Sequence, residues 1–123
     1  KTINMKYHHG VGGNAPVTKG AIQSNRSAVM WPNADIMVRG HIHNRFAMSM
    51  PVETISNHGR IMTDQERIYL QTGCYVSDIE DGNSWSSMRG FGVPAMGGYW
   101  LRLYNDNLTE NTVSVQYQAI PTD

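Results

Sequence analysis

Asp35-Ile-Met-Val-Arg-Gly-His-Ile-His43 is the stretch on which the reading of this chain turns. Asp35 to Arg39 form a short apolar run of strand character, closed by Gly40. Such a run between a helix and a glycine suits an αβ unit of a layered sheet. The stretch ends in two histidines two residues apart. On an extended segment, residues i and i+2 point to the same face. His41 and His43 are therefore expected to converge on one centre. Neutral imidazole binds zinc, iron, nickel and manganese ions readily. Gly40 allows close backbone approach beside the pair.

Working upstream, Thr2 to His9 alternates Ile3, Met5 and Tyr7 with Asn4, Lys6 and His8. Period two predicts a strand. Gly10 to Pro16 holds too many glycines for regular structure and reads as a loop. Thr18 is the expected N-cap of a helix reaching about Met30, with Ile22 and Val29 on one face. Gly20 weakens that helix, and Pro32 stops it. His8 and His9 thus end one strand much as His41 and His43 end another. In open α/β sheets, ligand sites lie at strand ends, so the two clusters are expected to meet around one metal centre. His58 falls in an Asn57-His-Gly59 turn signal and reads as solvated. Cys74 reads as a small buried thiol.

Working downstream, the pattern turns to β. Phe46 to Ile55 and Arg67 to Gln71 are strand-like, and Cys74 to Val76 extends the pairing. Residues 78–98 form a long irregular connection, in which Asp78, Glu80 and Asp81 read as a solvated acidic face. Tyr99 to Tyr104 and Thr112 to Ala119 are closing strands, with turn chemistry at Asn105-Asp-Asn107. The expected class is α/β, more closely a β-rich α+β arrangement.

The 123 residues allow one compact unit, 1–123, and the 40% of hydrophobic residues suffice for a core. Ten basic and ten acidic side chains cancel, so no global field recruits nucleic acid or anionic membrane. A local patch for either stays open. One cysteine excludes an intrachain disulfide framework and a multi-cysteine zinc site. No apolar run approaches the roughly 18 residues of a membrane span. The chain opens on Lys1 and enters strand-like sequence at once, which reads as a start inside a larger unit.

Asp35 to His43 resembles the Gly-His-x-His motif of calcineurin-like metallophosphoesterases, with its preceding apolar strand. Tyr7-His-His-Gly10 resembles the upstream strand-end histidine of that family, and a helix and a strand separate the two motifs in both. Tyr69-Leu-Gln-Thr-Gly-Cys-Tyr75 and Gly97-Gly-Tyr-Trp-Leu-Arg-Leu103 are similar to later strands of the fold. The Gly-rich stretch leading to Ala15-Pro-Val-Thr18 is closest in character to bacterial or virus-associated members, which implies a cytoplasmic setting.

The resemblance implies a four-layer αββα sandwich with a two-metal site at the strand ends. His41 would bind one ion and His43 the other. Either His8 or His9 would join His41, and the motif variants leave both open. The ions would be divalent manganese, iron, zinc or nickel. They would activate a hydroxide for hydrolysis of phosphomonoesters or phosphodiesters. Arg45, two residues after His43, and Asn44 read either as solvated loop residues or as groups that reach a substrate phosphate. The family's Asp-x-His, Gly-Asp and Gly-Asn-His segments do not occur here, and the last carries its acid histidine. The chain is therefore expected to be the C-terminal half of such a domain, incomplete as a catalyst. The missing N-terminal half, another chain or a second copy would cover its sheet.

Two other readings stand beside this one. A cupin-like β-barrel also uses Gly…His-x-His around one metal ion. It wants a glutamate three or four residues later, where this chain has Phe46 and Ala47. The other is a non-catalytic remnant of the phosphoesterase fold, kept for binding or assembly.

Overall fold

The computed structural model describes residues 2–13, 15, 17–75, 96–105 and 113–120. Residues 78–95 of the expected connection, with Asp78, Glu80 and Asp81, lie outside these, as do Val76, Asp106 and Asn107. In chain order the elements are β1 (Met5–His8), α1 (Ala21–Met30), β2 (Ile36–Arg39), β3 (Phe46–Ile55), β4 (Ile61–Gln71), β5 (Tyr99–Asn105) and β6 (Val113–Ala119). The described chain is mixed α/β and mostly sheet.

The main sheet has the order β1-β2-β4-β3, and β5 and β6 form a separate two-stranded sheet. β1, β2 and β4 run parallel, with His8 opposite Arg39 and Arg39 opposite Gln71. β3 and β4 form a long antiparallel hairpin whose turn is closed by the Gly59 N–H donating to the Ser56 carbonyl (2.9 Å). Gly59 supplies the positive φ of 73° that the turn needs, and His58 beside it is exposed, as expected. β4 begins at Ile61, six residues before the expected strand, because pairing with β3 extends through the polar run Thr63 to Glu66. Pro51 lies in edge strand β3, where the register slips between Met50 and Val52. A residue without an N–H is tolerated there.

The core sits between the sheet and α1. Ala34, Met37 and Tyr69 are buried together, with Ala28, Trp31, Met48 and Met50 packed around them. The central strands are buried on both faces: Ile36, Met37, Ile68, Tyr69 and Leu70 are all nearly inaccessible. Removing each such apolar side chain from water stabilises the fold by about 1.5–3 kcal/mol.

One expectation is corrected here, and two faces that periodicity left open are settled. The helix starts at Ala21, not at Thr18, and Gly20 precedes it at φ 88° with no side-chain cap. Thr18 instead accepts the Ala21 N–H at its carbonyl (2.8 Å). Its buried face carries Ser24 and Ser27, while Ile22 and Val29 share an exposed one. Ser27 tolerates burial because its Oγ donates to the Gln23 carbonyl (2.9 Å). β1 alternates as read, but Met5 and Tyr7 face out, at 53% and 75% exposure, while Lys6 and His8 are half-buried. Trp31 covers that inner face, with the Lys6 ammonium 4.9 Å from its ring centre.

Gly20 has a physical reason to be glycine. A Cβ there would stand 2.6 Å from Gln71 Oε1 and 2.7 Å from an Arg39 guanidinium nitrogen. Gly20→Ala is therefore expected to cost about 1–3 kcal/mol through left-handed strain and overpacking. Gly13→Ala, where a Cβ meets nothing within 4 Å, should stay within about 0.5 kcal/mol of the parent. Urea melts of the two variants check the pair, and equal losses would contradict the steric explanation.

Candidate functional site

Parallel pairing decides what meets at the top of the sheet. β1 and β2 point the same way, so both chains leave at the same edge. The ladder continues one step past the strands, the Gly40 N–H donating to the His9 carbonyl (3.1 Å). His9 and His41 thus emerge side by side, Nε2 of the first 2.9 Å from Nδ1 of the second. Gly10, at φ 96°, makes room, since a Cβ on it would lie 3.0 Å from the Gly40 carbonyl oxygen. Both imidazoles are exposed.

His8 goes elsewhere. It lies on the opposite face of β1, its ring centre 5.5 Å from that of Trp31. Burial, aided by Lys6, Arg39 and His9, holds its imidazole below the ordinary value. By sequence His8 and His9 are equals; the structure brings His9 to His41 and turns His8 toward the helix. The reason is the two-residue period of a strand, which sends neighbours to opposite faces.

The Gly40 to His43 segment is not extended, which corrects the expectation that His41 and His43 share one face of a strand. The Ile42 N–H donates back to the Gly40 carbonyl (2.9 Å) across His41. His41 has φ 72° and His43 φ 52°, both left-handed. This is a γ-turn of the positive-φ type, rare and strained for a residue with a Cβ. Ile42 anchors it, being 4% exposed between two exposed histidines. Backbone strain next to exposed imidazoles is the kind of feature that concentrates at functional sites.

Beneath the turn lies a polar hub that the sequence pattern did not announce. Arg39 and Gln71 are 6% and 1% exposed. One Arg39 guanidinium nitrogen donates to the Gly20 carbonyl and to Gln71 Oε1 (2.8 Å). Gln71 Nε2 donates to the Asn44 carbonyl and to the Lys19 carbonyl (3.4 Å). The Thr72 N–H donates to the Arg39 carbonyl (2.8 Å). The hub ties the loop before α1 to the chain that carries His41 and His43. An Arg and a Gln each ending an apolar run were the available signal, since both are otherwise rarely buried. Arg45 forms a comparable tie. One of its guanidinium nitrogens donates to the carbonyls of Met96 (2.8 Å) and Ile120 (2.7 Å). It thereby joins the main sheet to β5 and β6. Cys74 is buried, as expected, and among the described residues it forms an isolated bridge with Met96.

The donor set can be compared with the ions that the resemblance implies. Two nitrogens sharing one ion at about 2.1 Å stand about 3.0 Å apart at a right angle. The His9–His41 spacing of 2.9 Å is that of an N–H···N hydrogen bond, so an ion would have to displace the shared proton to take both nitrogens. Among the described residues no group of three or more His, Cys, Asp or Glu comes together, and His43 does not join the pair. The described residues therefore supply two adjacent imidazoles and do not fit a complete two-ion centre.

Comparison with family models, with curated proteins and with solved structures returned no match. No helix among the described residues is long and apolar enough to cross a membrane.

Two outcomes are expected. Gln71→Leu leaves the Arg39 guanidinium and the Asn44 carbonyl short of partners, and should cost about 2–3 kcal/mol in a urea melt. The second concerns acid. With its folded-state pKa depressed, His8 takes up a proton more readily in the unfolded chain, from near the ordinary 6.5 downward. Its contribution to stability is complete above that value and falls as pH drops below it. His8→Asn should flatten the stability profile between about pH 7.5 and about pH 5. An unchanged slope in that variant would remove His8 from the explanation.

Proposed function

We propose that this chain carries one wall of a metal-dependent phosphoesterase centre, built on the C-terminal half of an αββα sandwich. The observation that supports it is the convergence of His9 and His41 at the shared edge of β1 and β2. Two imidazoles from separate strand ends, beside a strained Gly-His-x-His turn, suit borderline divalent ions. Such ions, when bound, polarise phosphoryl oxygens and acidify water. The chain's own share is positional. His9 and His41 present two nitrogens, the Arg39–Gln71 hub fixes the turn that carries His41, and His43 stands exposed to meet a second ion or the substrate. The backbone around Asn44 is held by Gln71. The described residues supply no carboxylate to the pair, so a complete centre needs further ligands. The outward apolar residues Met5 and Tyr7 on edge strand β1 support a neighbour there.

Cobalt titration followed by visible absorption tests this reading. One nitrogen-ligated ion per chain is expected, with affinity at least tenfold lower in His9→Ala and in His41→Ala. His8→Ala should bind as the parent does. Absence of binding, or binding indifferent to His9 and His41, would overturn the proposal. With added manganese the chain alone should turn over an aryl phosphate slowly or not at all. Robust turnover abolished by His41→Ala would show instead that one chain holds a complete centre.

A further inference from the structure

The β5–β6 sheet carries a surface that the histidine site does not use. Its register sets Trp100 opposite Gln118 and Arg102 opposite Gln116. Residues two apart on a strand share a face, so these four side chains stand together. Val115 and Tyr117, which alternate to the other face of β6, complete the lining of an open groove of about 620 Å³. Trp100 is 70% exposed. Among the described residues of the lining Arg102 alone is charged, and its guanidinium lies 5.7 Å from the centre of the Tyr104 ring.

Each lining group has a matching ligand chemistry. An exposed indole offers a stacking face to any nucleobase. Glutamine amides carry both donors and an acceptor, as base edges do. A guanidinium pairs with phosphate. A neutral sugar would also stack on the indole, but it would make no use of the Arg102 charge. The described lining is cationic and holds no carboxylate, so its charge complements an anionic ligand.

Arg45 links the strands of the groove to the segment that carries the histidines. Arg45, two residues after His43, donates to the carbonyls of Met96 and Ile120. The Ile120 N–H donates to the Gly98 carbonyl (2.9 Å). The Trp100–Gln118 rung lies two residues beyond that pair, so the groove starts where Arg45 clamps the sheet.

We propose that this groove binds the base of a nucleotide-type phosphoester, with Trp100 stacking on the base and Arg102 holding a neighbouring phosphate. This names a substrate class for the phosphoesterase reading and rests on it for the chemistry, but binding is measurable without it. The probe is a fluorescent single-stranded octathymidylate, followed by anisotropy without added metal. Saturable binding is expected, weakened about 5- to 150-fold by Trp100→Ala and largely restored by Trp100→Phe. Arg102→Gln should weaken it further and reduce its salt dependence by about one phosphate contact. Both residues are exposed, and unchanged thermal melts of the variants confirm that the fold is retained. Undiminished binding in both variants, or capture of a neutral oligosaccharide in place of the oligonucleotide, would overturn the proposal. Loss of oligonucleotide binding with cobalt affinity kept would support it. A chain that binds the oligonucleotide through Trp100 but takes no cobalt would refute the metal reading and leave this one standing.

Discussion

Backbone hydrogen bonds between β1, β2 and β4, all running the same way, bring three chain exits to one edge of the sheet. Everything at the candidate site depends on that pairing. His9 follows β1, His41 follows β2, and Thr72 follows β4, and the ladder carries on through Gly40 and Thr72 after the strands end. Parallel strands need a crossover, and α1 supplies it between β1 and β2. Two imidazoles more than thirty residues apart in sequence then lie within hydrogen-bonding distance. No local propensity produces that contact; it is a consequence of strand direction and register.

The energetic support for this edge is polar rather than apolar. Arg39 is buried, and the described partners of its guanidinium are a carbonyl and an amide oxygen rather than a carboxylate. Burial lowers its pKa from the ordinary value, and its Nε finds no hydrogen-bond partner among the described residues. A buried charge held by neutral oxygens is costly to disturb, because removing an acceptor leaves desolvated N–H groups behind. That cost is what makes Gln71 and Gly20 demanding positions. One supplies the amide, and the other leaves the space. The strained turn at His41 and His43 is stable because Ile42 below it and this hub beside it over-determine its conformation.

The outer surfaces have a different character. Met5 and Tyr7 on β1, Ile22, Val29 and Met30 on α1, and Trp100 and Leu103 on β5 are all more than two-fifths exposed. Single exposed apolar residues are ordinary. An apolar row on the edge strand of a parallel sheet is less so, because such sheets are normally covered on both faces. The central strands are buried on both faces, whereas β1 keeps one apolar face in solvent, and this favours the proposed neighbour.

How much is legible in the chain alone varies with the kind of interaction. The strands at 5–8, 36–39, 46–55 and 99–105, the helix end before Pro32, the turn at Gly59 and the buried Cys74 can be read from alternation, breakers and residue type, which act locally. So can the placement of His8, His9, His41 and His43 at or just past strand ends. Which face of β1 or α1 turns inward is not legible, since periodicity gives the spacing of a face but not its neighbour. Periodicity therefore groups Met5 with Tyr7 and Ile22 with Val29, and only the fold decides that these groups face outward. The choice of His9 over His8, the left-handed turn at His41, the burial of Arg39 and Gln71 and the clamp of Arg45 were decided only in the tertiary structure. They arise from contacts between segments remote in sequence, where register, close approach and the need to satisfy buried polar groups select among locally equivalent side chains.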